Sequence, residues 1–215
     1  MKKQDILNLF LILVVGSFGG LVCFYLLYQN NLFLSPVVIN QSQERVYIEE
    51  NTALTESIKE TKKTIFVIKQ GTQEFYGLIL TSDGLAVTLS SNLGKTPITC
   101  EINGESSSCQ ILKRDLNQNL ALIKIERDRL STLGFYNPEI EMGKRVYILS
   151  LESVNEGIVK SIGLDSLKTN IRETEPISGS PAFSLDNKII GLAEIDKNGF
   201  VSIIPVSVIR TFVGL

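Results

Sequence analysis

Beyond Lys63 the sequence is built from short apolar runs. They fall at Ile65–Ile68, Leu78–Leu80, Leu85–Thr88, Leu120–Ile125, Val146–Leu149, Ile158–Ile162, Ile189–Ala193 and Val201–Ile204, with Gly, Asn, Asp and Ser between them. Runs of this length with turn residues about every ten positions predict antiparallel strands in a barrel or sandwich, an all-β class. Pro205–Val213 is the one late helical candidate, with the proline able to occupy the first helical position. No glycine-rich loop joins a strand to a helix, which excludes the nucleotide-binding α/β arrangements.

The amino-terminal part reads differently. Ile6–Tyr28 is a run of 23 residues without a charge, enough for a helix to cross a hydrocarbon core of roughly 30 Å. Lys2 and Lys3 precede it and the next basic residue is Arg45. The positive-inside rule therefore predicts a single-pass membrane protein, amino terminus cytoplasmic and carboxy-terminal domain extracytoplasmic. A cleaved signal peptide would need a small-residue cleavage site, which the sequence lacks, and Val22 is too large to precede a lipoprotein cysteine at Cys23. The expected organisation is an anchor over 1–29, a polar linker over 30–50 containing Pro36, and an exported domain over 51–215. Within that domain Thr52–Lys63 is predicted as a short surface helix, with Glu56, Lys59, Glu60 and Lys63 on a solvated face.

Charge and composition narrow the function. Lys and Arg number 21 against 23 Asp and Glu, with no long basic run, so phosphate neutralisation on a nucleic acid is not expected. The chain has no histidine. Imidazole bases and imidazole metal ligands are thereby excluded, and the sequence calls for no metal and no cofactor. Cys100 and Cys109 flank Ile102-Asn103-Gly104-Glu105; with Gly104 and Glu105 as the two-residue loop they would face each other across a hairpin. That register predicts a cross-strand disulfide, as an extracytoplasmic location permits, against the alternative of two buried thiols.

Three segments, in order, resemble the HtrA family of trypsin-like serine proteases. Gly77-Leu78-Ile79-Leu80-Thr81-Ser82-Asp83-Gly84, continuing to Ser90-Ser91-Asn92, is similar to the family's G-F-I-I-S-S-D-G-Y-I-L-T-N-N-H-V and puts Ser91 where the catalytic histidine stands. Asp115-Leu116-Asn117-Gln118-Asn119-Leu120-Ala121 is similar to D-P-x-T-D-L-A and puts Asn119 at the aspartate. Pro176-Ile177-Ser178-Gly179-Ser180-Pro181 is similar to G-N-S-G-G-P, keeps the nucleophile as Ser178, and puts Pro176 at an oxyanion-hole glycine. Weaker matches at Gly143–Ile148, Gly157–Ser161 and Ile203–Ser207 extend the resemblance from about Ile65 to the last residue. It implies two six-stranded antiparallel barrels with the catalytic positions between them. Most of the family also carry a PDZ domain, for which this sequence leaves no room.

The resemblance implies a serine endopeptidase scaffold, and the substitutions predict that it is inert. A serine hydroxyl needs a neighbouring base to take its proton, and Ser91 is not one. Asn119 is neutral, and Pro176 has no N–H to donate to an oxyanion. In other serine proteases, disabling the triad costs on the order of a millionfold and losing one oxyanion donor about a hundred- to a thousandfold. The expected function is a membrane-anchored pseudoprotease that binds a peptide or protein in the inter-barrel cleft, by strand addition, outside the cytoplasmic membrane. The alternatives are a low-activity endopeptidase using Ser178 with a non-histidine base such as Lys160 or Lys168, and a structural subunit of an envelope complex.

Overall fold

The computed structural model describes residues 3–29, 54–94, 96–173 and 177–215. The chain divides into two units, Met1–Glu49 and Glu50–Leu215.

The first unit contains one described element, helix α1 over Lys3–Gln29. Nothing in the run interrupts a helix: it has no proline, and the Ser17 hydroxyl donates to the Val14 carbonyl at 2.9 Å. Among the described residues no helix is long and apolar enough to cross a membrane. The membrane role of Ile6–Tyr28 therefore rests on the sequence alone.

The second unit begins with helix α2, residues 54–62. The sequence predicted a surface helix here, and only one face of it is exposed. Ser57 and Thr61 are buried, the Thr61 hydroxyl donates to the Ser57 carbonyl at 2.9 Å, and Leu54 and Ile58 pack against the core. Residues 51–53 lie outside the described residues.

Twelve strands follow and close into two barrels. The first comprises β1 (Ile65–Gln70), β2 (Gln73–Ile79), β3 (Leu85–Leu89), β4 (Thr99–Ile102), β5 (Glu105–Asp115) and β6 (Leu120–Ile125), ordered β1-β2-β3-β6-β5-β4. The second comprises β7 (Arg145–Leu149), β8 (Val154–Ile162), β9 (Leu167–Arg172), β10 (Pro181–Ser184), β11 (Ile189–Ile195) and β12 (Phe200–Pro205), ordered β10-β11-β12-β9-β8-β7. Helix α3, Val206–Val213, ends the chain, closed by Gly214 in the left-handed conformation at φ 85°.

The apolar runs are continuous because both faces of these strands are covered. Successive side chains point to opposite faces of a strand. Phe66, Ile79, Ala86, Ile123 and Ile125 fill the first barrel, whereas Ile65, Leu78, Val87 and Leu120 point into a core shared with the second. On β11, Ile190 and Ala193 face the second barrel's interior, and Ile189 and Leu192 the shared core. That shared core also takes Tyr147 and Phe183, whose rings stack at 5.5 Å, and Ile209 and Phe212 of α3. Burying a large apolar side chain contributes about 1.5–3 kcal/mol, so this seam holds the two barrels in a fixed relation.

The β4–β5 hairpin corrects the expected register. Its loop is Asn103-Gly104, with φ of 52° and 82°, and Ile102 pairs with Glu105. Asn-Gly suits a two-residue turn because both positions need positive φ. Cys100 therefore faces Ser107 rather than Cys109. Cys100 and Cys109 are nonetheless disulfide-bonded, diagonally, with Cα atoms 5.9 Å apart.

Candidate functional site

The shared core fixes where the ends of β3, β6 and β11 and the turn before β10 meet. Ser91 sits in a single 3-10 turn, Ser90–Asn92, directly after β3. Asn119 precedes β6 at φ 52°, a left-handed position that asparagine tolerates. The turn leading to it is held by the Asp115 carboxylate, which accepts from the amides of Asn117 at 2.8 Å and Gln118 at 3.0 Å. Ser178 occupies the turn before β10.

These positions converge through a chain of hydrogen bonds. The Ser91 amide donates to Asn119 Oδ1 at 2.8 Å, and Asn119 Nδ2 donates to Glu194 Oε1 at 2.8 Å. Asn92 Nδ2 donates to the Ser178 carbonyl at 2.9 Å. Ser178 Oγ accepts from the Ile195 amide at 3.3 Å. Ser91 and Asn119 thus touch directly, and Ser178 joins them through the neighbours of Ser91 and Glu194. Pro176 lies outside the described residues.

Gly179 shows how tightly the Ser178 turn is pressed onto the first barrel. Its φ is 91°, and a Cβ there would lie 2.4 Å from the Tyr76 carbonyl oxygen and 3.1 Å from Thr88 Oγ1. Both the dihedral and the space require glycine. The Gly179 amide donates to the Ala193 carbonyl at 2.8 Å, tying the turn to β11 as well.

The chemistry available here follows from what each group can give or take. A carboxamide can accept at Oδ1 while donating at Nδ2, so Asn119 satisfies the Ser91 amide and the Glu194 carboxylate together. A carboxylate at 119 would accept only, and would face Glu194 charge to charge. Ser178 Oγ serves as an acceptor for the Ile195 amide, and among the described residues its proton meets no hydrogen-bond acceptor. Lys160 and Lys168 lie exposed on β8 and β9, not in the desolvated setting that makes a lysine a base. No group of three or more His, Cys, Asp and Glu that could hold a metal occurs among the described residues.

The open part of the seam is a cleft of about 510 Å³ lined by Ser91, Leu116, Asn117, Asn119, Asp165 and Glu194, among others. Glu194 and Asn92 are the participants that sequence reasoning missed. Glu194 is placed by the pairing of β11 with β12, Glu194 opposite Ser202, a long-range register with no local signature.

No protein-family model matches the chain. No curated protein matches it either. Among solved structures it is similar to a serine endoprotease from Yersinia pestis, with a TM-score of 0.68 and 16% identity over 75% of this chain. The match spans 65% of the length of that protein. At that identity the likeness establishes architecture, and with the closed six-strand barrels it defines the class: the second unit has the trypsin-like serine protease fold.

Proposed function

We propose that this chain is a catalytically inactive, membrane-anchored member of the HtrA-like proteases that binds a peptide or protein at the seam between its barrels, outside the cytoplasmic membrane. The observation that carries the reading is the Asn119 carboxamide, joined to the Ser91 amide on one side and to Glu194 on the other. Where a hydrolase needs a base oriented by an acid, this seam has a neutral bridge. Ser178, half-buried, serves the Ile195 amide instead. Because that amide is engaged and both sheets are closed, the cleft recognises its ligand through side chains rather than by an added strand. The charge-free stretch Ile6–Tyr28 supports anchoring, and Lys2 and Lys3 before it support the orientation.

A fluorophosphonate probe tests the catalytic half of the reading. The expected result is no labelling under conditions that label an active serine protease to completion. Labelling that disappears in Ser178→Ala would overturn it. Affinity capture with an anchor-deleted form and with a Leu116→Asp/Asn117→Ala form tests the binding half: partner recovery should survive the first change and fail with the second.

A further inference from the structure

A second cavity, of about 390 Å³, opens on the second barrel, and Ser91, Asn119 and Ser178 do not line it. Its walls are mostly apolar. Ile162, Leu164 and Leu167 come from the β8–β9 hairpin, Tyr136 and Ile140 from the segment between the barrels, and Val206 from the start of α3. The floor is fixed by packing, with Leu167 and Val206 buried at 3% and 6% exposure. Backbone hydrogen bonds fix the sides: the Tyr136 amide donates to the Ile189 carbonyl at 2.9 Å, and the Gly163 amide to the Ser166 carbonyl at 2.8 Å. At the mouth Leu164 is 98% exposed and Ile162 48%. An apolar wall left open to water in a preformed hollow is the usual mark of a binding site.

The rim carries one cation, Arg210. Its guanidinium stacks over the Phe135 ring at 5.7 Å and has no carboxylate partner among the described residues. Glu139 stands on the same rim without an ion pair to it. An unpaired guanidinium beside an apolar hollow complements an anionic head on an apolar body. A peptide's carboxy-terminal end and an alkyl carboxylate both fit that description, and the surrounding backbone discriminates between them. On the hairpin wall Leu167 already pairs with Ile162 of β8 on one side and with Ile203 of β12 on the other. A peptide inserted there would bury its own amides without partners, at a cost of about 1–3 kcal/mol each by mutational scales. An alkyl chain has no such groups. We propose that this cavity binds an alkyl carboxylate, the chain lying between Leu167 and Val206 and the head on Arg210.

The test uses the full chain in phosphatidylcholine nanodiscs and dodecanoate bearing a diazirine near its methyl end, with labelled peptides mapped by mass spectrometry. Label is expected within residues 136–140, 162–167 or 205–210, displaced by unlabelled dodecanoate but not by dodecyltrimethylammonium. Arg210→Gln, a surface change, should weaken displacement by about tenfold, the equivalent of one charge-assisted hydrogen bond. Val206→Trp, which fills the hollow, should remove the label altogether. Label confined to α1, equal displacement by the cationic amphiphile, or unchanged affinity in Arg210→Gln would each overturn the proposal. So would displacement by an apolar peptide with a free carboxy terminus but not by dodecanoate, which would assign the cavity to peptides. Failure here leaves the reading of the inter-barrel seam untouched, because Arg210 and Val206 do not line that cleft.

Discussion

Under the proposed reading, replacing Asn119 by aspartate supplies the residue type of an active triad, and the geometry says it destabilises the fold. The substitution puts an oxygen where Nδ2 now donates to Glu194 Oε1 at 2.8 Å. A hydrogen bond to a charged group, worth about 1.5–3 kcal/mol, is lost. Two carboxylates about 4 Å apart then repel by roughly 4 kcal/mol at the effective dielectric of a protein surface. Glu194 is half-buried, so water screens part of this repulsion, and the expected net cost at pH 7.5 is about 2–4 kcal/mol. The pH dependence fixes the mechanism. In the variant the folded pair holds one proton more tightly than the unfolded chain does, which raises a folded-state pKa. The penalty is therefore present above that raised value and fades as pH falls towards about 4, the ordinary carboxylate range. Urea unfolding followed by circular dichroism at pH 7.5 and 4.5 measures both. Glu194→Gln in the same chain supplies a donor again and should recover most of the loss. A variant within about 0.5 kcal/mol of the wild type at pH 7.5, the ordinary scatter of surface substitutions, would refute the reasoning, as would failure of Glu194→Gln to rescue it.

Other outcomes follow from the same contacts. Ser91→His with Asn119→Asp and Pro176→Gly should give no peptide hydrolysis until Glu194→Ser is added, and turnover by the three-residue variant in a fluorogenic assay would count against the bridge. Gly179→Ala should cost about 2–4 kcal/mol in urea unfolding, combining a strained dihedral with overpacking against Tyr76. Cys100→Ser with Cys109→Ser opens a short loop, sequence separation 9, and should lower stability by about 2–3 kcal/mol on the chain-entropy estimate; reduction of the wild type should match it. Hydrogen bonds hold the carboxyls of Asp186 and Asp196 below their ordinary values, from the Ser184 side chain and from the Phe200 amide respectively. Their contribution to stability is present above the unfolded value of 3.8 and lost as pH drops beneath it. Thermal melts should fall from pH 5 towards pH 2.5, and Asp196→Asn should flatten that fall.

Much of the architecture was legible because apolar runs such as Ile65–Ile68 and Ile189–Ala193 are buried on both faces and stand out from their flanks. Four strands lie outside such runs, β4, β5, β9 and β10, the first two legible only as the hairpin around Asn103-Gly104. β5 begins Glu105-Ser106-Ser107-Ser108 and is largely exposed, so its pairing rather than its composition makes it a strand. β9, Leu167–Arg172, alternates buried and exposed residues over too few positions to register. β10 is short and opens on Pro181, a residue that argues against a strand until its place at the strand's start is seen. Asn103 takes positive φ and belongs to the turn, not the strand, which moves the loop by one residue and the pairing by two, so that Cys100 meets Ser107 in place of Cys109. At the seam, Ser91 and Asn119 share a hydrogen bond and Ser178 reaches them through neighbouring residues; the motifs that single them out are local and ordered along the chain. Glu194 was invisible because only the register of β11 against β12 brings its side chain to Asn119.

Closure of both sheets governs how copies of the second unit meet one another. Each barrel's strands have a neighbour on either side around the ring, so crowded copies find no free edge strand along which to zip. Encounters between copies are then made chiefly by side chains. Self-association is then set by a few surface residues and can be dialled up or down by single substitutions, leaving the β scaffold unaltered.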